Sequence, residues 1–307
     1  MPDDKLNRLL SGPLVPCLWI VFDRMNVLNG MLYSLKGQTD SFLTGARRVL
    51  EMRKSHQGPD EVPMLLTWAS LPVSDLTNWP EHEGQEHYAS GGFGAQDEKY
   101  LALVEVLFRR NAAWTVAQGW EAHETFLLDI LAVYLQERRG DADAQKLNNY
   151  CAKKRRECPV KPEEWRDFVC WAYRGNDNKK LLGYLRRLAP HLKEGETRNY
   201  RCINLGSWYR ALAKVRHAVT HSGLRILPDQ VRRMDQDALN ALARFFPGAE
   251  TDKGYELRMG AEETNRVLIT LAEHAFLVFK GLSLEAGYDW EVLGKPRRIT
   301  WANEFPG

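Results

Sequence analysis

No two of the five cysteines in this 307-residue chain stand in C-x-x-C spacing, and their number is odd. Cys17, Cys151, Cys158, Cys170 and Cys202 therefore describe neither a disulfide frame nor a zinc site, and read as the reduced thiols of a cytoplasmic protein. His217 and His221 share the i,i+4 spacing of a metal pair, but the glutamate of H-E-x-x-H is missing. G-x-x-x-x-G-K-[ST] is absent too, and Gly92-x-Gly94 does not continue into G-x-G-x-x-G, which leaves no nucleotide cradle. Long apolar runs are scarce. Residues 14–22 are too few to span a bilayer and include Pro16, and the acidic opening Met1-Pro2-Asp3-Asp4 has the wrong charge for a signal peptide. The expectation is a soluble chain with no membrane role, no metal and no cofactor.

What is present is an ordinary globular composition, 44% hydrophobic, 10% aromatic and 27% charged. The net charge of +2 hides an asymmetry: residues 146–216 hold 18 Lys and Arg against 7 Asp and Glu. Such a block suits a polyanionic partner such as RNA, or else a solvated helical face. Lys153, Lys154, Arg155, Arg156, Lys179, Lys180, Arg186 and Arg187 are its candidate phosphate contacts. Trp120, Trp165, Trp171 and Trp208 are expected in the core before they are expected to stack bases.

The apolar period predicts a mainly α chain. Residues 1–96 read as an N-terminal region with an apolar segment, a helix-like stretch over 27–53 weakened by Gly30 and Gly37, and an irregular, partly β insert rich in proline and glycine. A helical domain follows over 97–285, then a tail over 286–307. A long helix is expected over 97–139, with Leu103, Leu107, Trp114, Trp120, Leu127, Leu131 and Tyr134 on its apolar stripe and a bend at Gly119. Shorter helices are expected near 145–156, after Pro162 and near 178–188. Two more run over 205–221, stopped by Gly223, and from Ala261 through Leu282.

The stretch Arg216-His217-Ala218-Val219-Thr220-His221 concentrates chemistry at the end of one of these helices. Arginine is a permanent cationic fork for phosphate oxygens, and histidine, with a reference pKa of ~6.5, serves as acid or base near neutrality. Five helical steps separate the two by about 7.5 Å along the axis and roughly 140° around it, so they flank a strip of surface. These are the tools for breaking a phosphodiester bond without a metal.

The hexad resembles the R-x4-6-H motif of HEPN domains, with His217 in the slot that usually holds a polar residue and Ser222-Gly223 following the histidine. The segment Trp120-Glu121-Ala122-His123-Glu124-Thr125-Phe126-Leu127-Leu128-Asp129 is similar to the early long helix of many members. The resemblance spans residues 97–285. It implies a HEPN-like helical bundle, a homodimer with its cleft at the interface, and metal-independent endoribonuclease activity on single-stranded or looped RNA. The products would carry 2′,3′-cyclic phosphate and 5′-hydroxyl ends. It further implies that Arg216 holds the phosphate, that His221 is acid or base, that His217 fills the polar slot, and that Glu124 orients Arg216 or His221. Such proteins act as toxins or in antiphage defence, with an inhibitor or sensor as a possible partner. Two other readings stand beside it: a non-catalytic module binding nucleotide, RNA or protein, and a scaffold whose function lies in the insert around Gly91–Gly94.

Overall fold

The computed structural model describes residues 12–55, 72–73, 87–88, 97–155, 157–175 and 178–291. Arg156, the Gly91–Gly94 insert and the tail beyond residue 291 lie outside the described residues.

The chain is mainly α. Two helices of 41 residues, α1 (Val15–Ser55) and α2 (Asp97–Glu137), are followed by a 3-10 turn at Arg139–Asp141 and by α3 (Ala144–Lys154), α4 (Pro162–Tyr173), α5 (Lys179–Leu188) and α6 (Pro190–Thr197). Then come α7 (Leu205–His221), α8 (Pro228–Arg232), α9 (Gln236–Phe245) and α10 (Ala261–Ala286). Local chemistry sets several starts. Asp143, Asn204 and Asp235 each accept a backbone N–H three residues on, and Pro162, Pro190 and Pro228 occupy first-turn positions whose missing N–H costs nothing. Glu164 reaches back to the Lys161 amide. Gly223, with φ of +59°, ends α7 where an L side chain would be strained.

Strands are few. β1 (Pro72–Val73) pairs antiparallel with β2 (His87–Tyr88), inside the insert expected to be partly β. A second antiparallel sheet, in the order β3 (Arg225–Ile226), β5 (Gly254–Leu257), β4 (Gly248–Thr251), follows α7 in a region expected to be wholly helical.

The central helix is α2, on which α1, α4, α7 and α10 pack. One core joins Leu14, Leu18, Val21 and Met25 to Trp120, Leu127, Leu131, Trp165, Phe168, Trp208, Leu212, Leu271 and Phe279. Each such side chain contributes about 1.5–3 kcal/mol on burial. The helix α1 thus shares one core with the helices that follow residue 97. It starts at Val15 and runs through Gly30 and Gly37, because packing along α2 and α10 outweighs their low propensity.

Two expectations for α2 change. It is one helix through Gly119, whose role is close packing: a Cβ there would lie 2.6 Å from Leu268 Cδ2 of α10. The buried stripe near Gly119 is made of Ala112, Ala113, Val116 and Ala117, while Leu107 and Trp114 face outward, about half exposed. The small residues let neighbouring helices approach. Length and composition alone would let α10 cross a membrane, but Val267, Leu271, Ala275, Val278, Phe279 and Leu282 are sealed in the core, as suits a core helix.

Candidate functional site

Helix α7 carries its apolar residues Leu212, Val215 and Val219 inward, as its period requires, and so turns Arg216, His217 and His221 toward the opposite side. There they line an open cleft of about 730 Å³ with Trp120, Glu121 and Glu124 of α2, Arg174 and Gly175 after α4, Lys214 of α7 and Gln230 of α8. The four residues singled out as catalytic, Arg216, His217, His221 and Glu124, share this one cleft. His217 and His221 are exposed, with ring centroids 4.9 Å apart, one helical turn from each other.

Arg216 does not meet Glu124. Its Nη2 donates to Glu121 Oε1 at 2.6 Å. Glu124 lies 3.8 Å from Arg174 Nε. The orienting carboxylate expected at Glu124 is therefore supplied to Arg216 by Glu121, three residues earlier on the same face of α2. Glu121 lies inside the decapeptide that carries the resemblance, yet sequence spacing cannot tell which of two neighbouring carboxylates faces a given arginine. Glu124 is half-buried. Burial first, and the Glu121 charge second, push its carboxyl above the ordinary range, while Arg174 and Arg216 pull the other way. Two buried polar atoms of cleft residues, Arg216 Nε and Gln230 Oε1, find no hydrogen-bond partner within the protein.

The candidate RNA contacts divide. Lys153, Lys154, Arg155, Lys179 and Lys180 are exposed, the first three at the C-terminal end of α3 and the others at the start of α5. Arg187 is exposed, though it covers the Tyr184 ring at 4.7 Å and reaches to 4.0 Å from Asp143. Arg186 is partly exposed, and its guanidinium is already engaged. It grips Glu196 with two hydrogen bonds of 2.6 and 3.0 Å, and Glu196 is buried, so the arginine is committed to a structural charge. Trp120, Trp165 and Trp208 are core residues, and only Trp171 of the four is substantially exposed, at 37%.

The five cysteines are free thiols. Burial, with the Asp129 charge, raises the Cys17 thiol to about 12, which leaves it unreactive. Among the described residues no cluster of three or more His, Cys, Asp or Glu is placed to hold a metal. No protein-family model matches the chain, and no curated protein or solved structure is similar to it. The functional reading therefore rests on the cleft itself.

Proposed function

We propose that this chain is a HEPN-type endoribonuclease that cleaves single-stranded or looped RNA without a metal. The observation that carries the reading is the convergence of Arg216, His217, His221 and Glu124 on one open cleft. The orphaned Arg216 Nε and Gln230 Oε1 support a polar ligand there, since a buried polar atom without a partner costs roughly 1–3 kcal/mol that a ligand can recover.

In this reading the Arg216 guanidinium binds the scissile phosphate and stabilises the charge that develops on its oxygens. His221 transfers the proton between the 2′-hydroxyl and the leaving 5′-oxygen, in one direction or the other. His217, one turn away, holds the polar slot. Glu124, with its raised proton affinity, is a second acceptor within the same wall. The exposed lysines of α3 and α5 supply sequence-independent phosphate attraction. A homodimer with the cleft at its interface, cytoplasmic residence, and a role in antiphage defence or as a toxin belong to the same proposal. The free thiols support the compartment.

One observation favours a second reading. Glu121 already neutralises Arg216, and Glu124 stands beside Arg174, which suits a non-catalytic module that binds nucleotide, RNA or a partner protein. Incubation of purified protein with single-stranded RNA in EDTA separates the two. The proposal expects cleavage that Arg216→Ala and His221→Ala each abolish while circular dichroism is unchanged. Binding without turnover supports the module, and undiminished cleavage by the double variant refutes the site.

A further inference from the structure

Behind the cleft wall a line of polar side chains crosses the apolar core. Asn178 Nδ2 donates to the Tyr209 hydroxyl at 3.1 Å. That hydroxyl lies 3.4 Å from His123 Nδ1, His123 Nε2 lies 3.0 Å from His274 Nδ1, and His274 Nε2 lies 3.1 Å from Glu196 Oε1. Arg186 closes the line on Glu196. His123 and His274 are fully buried, and Asn178, Tyr209 and Glu196 nearly so. Five helices, α2, α5, α6, α7 and α10, each contribute a member, and Asn178 stands at the position just before α5.

The donors have a direction. A carboxylate only accepts, so His274 carries its proton on Nε2. Arg186 already balances Glu196, and a further positive charge in this sealed volume would have no counter-charge. The arrangement that adds none has both imidazoles protonated on Nε2. His274 Nδ1 then accepts from His123, and His123 Nδ1 accepts from the Tyr209 hydroxyl. That leaves the Tyr209 oxygen free to accept from Asn178. With both rings neutral, this is the sense in which every link is satisfied.

The end of the line reaches the cleft. Asn178 takes a left-handed backbone with φ of 51°, unusual for a non-glycine residue, and turns its side chain inward instead of capping α5. Its own amide donates to the Gly175 carbonyl at 3.2 Å, and Gly175 and Arg174 line the cleft. The Tyr209 ring also packs on the Trp120 ring, with centroids 4.4 Å apart, and Trp120 lines the cleft as well.

We infer that Tyr209, held by the His123–His274–Glu196 line behind it, is a positioning residue for the cleft: through Asn178 it fixes the backbone that presents Arg174. Its bearing on RNA binding rests on the ribonuclease reading, whereas its hold on Asn178 does not.

Tyr209→Phe removes one hydroxyl and keeps the ring. Amide exchange by NMR should show the Asn178 amide exchanging about tenfold faster, with the amides of α2 and α10 unchanged. Asn178→Gly keeps the left-handed backbone, removes the same link and serves if Tyr209→Phe does not fold. Undisturbed protection at position 178 in whichever variant folds would overturn the inference. A second readout is affinity for a fully 2′-deoxy single-stranded oligonucleotide. Tyr209→Phe should weaken it by about fivefold in the wild-type background and by less than about twofold with Arg174→Ala. Equal losses in both backgrounds would mean that the hydroxyl merely supports the fold, and would also overturn it. If the wild-type protein binds no oligonucleotide, the ribonuclease reading fails, and the exchange result still decides the role of Tyr209.

Discussion

The Arg216 guanidinium and the Glu121 carboxylate meet at 2.6 Å across the join of α7 and α2. Glu121 is half exposed and Arg216 about one-third exposed, so the pair adds little to stability. Its consequence is directional, because it holds the fork of Arg216 in one orientation at the cleft wall. Glu121→Ala should lower kcat for RNA cleavage by about 10- to 100-fold, the range expected when a binding fork is misplaced by an ångström. Glu121→Gln, which can still accept one hydrogen bond, should lose less. Steady-state kinetics on a short single-stranded RNA decides the matter. A gain in activity would mean instead that Glu121 competes with phosphate for Arg216.

Glu124 should leave a mark on the pH profile. Burial and the neighbouring Glu121 charge raise its carboxyl above 4.5, and a base acts only when ionised. Cleavage should therefore rise with pH through that raised value, on an acid limb displaced upward from an ordinary carboxylate. Glu124→Gln should remove this limb and cost about 10²- to 10⁴-fold in rate. An unchanged limb in the variant would assign it to another group, with His221 the next to test by the same measurement.

Much of the helical plan was legible in the sequence. The α7 and α10 periods are strong, with Leu212, Val215 and Val219 or Leu268, Leu271 and Ala275 all inward, and Gly223 stops α7 as its position suggests. The cleft residues Arg216, His217 and His221 were legible for the same reason: an inward apolar stripe fixes what faces the other way. The choice of Glu121 over Glu124 was not, since both lie on one face of α2 and only the approach of α7 selects between them. Arg186 read as a surface cation because its buried partner, Glu196, sits on another helix ten residues on. The strands after α7 are two to four residues long, too short for any alternation to show.

Arg186 and the lysines of α5 should separate by the property they affect. Arg186→Ala would leave Glu196 buried without its cation, and should cost about 3 kcal/mol in urea unfolding. Lys179→Ala and Lys180→Ala touch no buried charge and should change stability by less than about 0.5 kcal/mol. Each lysine that meets a phosphate should lower the slope of log affinity against log salt by about 0.7. A stable Arg186→Ala protein with a reduced salt slope would return that arginine to the proposed RNA contacts.

Acid should destabilise the fold in two stages, and His123 should govern the first. Burial, and then the proximity of His274, hold the His123 imidazole well below 6.5 in the folded state. In the unfolded chain it titrates near ~6.5. Below that pH the unfolded state binds the extra proton and the folded state does not, so stability falls by up to about 1.4 kcal/mol per pH unit. The Tyr209 hydroxyl, His274, and the Glu196–Arg186 pair behind it face this ring and offer no carboxylate in direct contact to stabilise a charged His123. A second stage follows below 4.5. There burial would raise the Glu196 carboxyl, but the hydrogen bonds from His274 and Arg186 outweigh it and hold it low, so its contribution disappears as protons compete. Glu124, raised in the folded state, acts in the opposite sense and blunts that second fall. Urea midpoints measured from pH 7.5 to 4 should show both stages, and His123→Gln, though less stable throughout, should have a smaller slope than the wild-type protein between about 6.5 and 5.5. A wild-type protein with no slope in that interval would mean that the imidazole takes up its proton inside the folded core, and the donor order from Asn178 to Glu196 would then have to run differently.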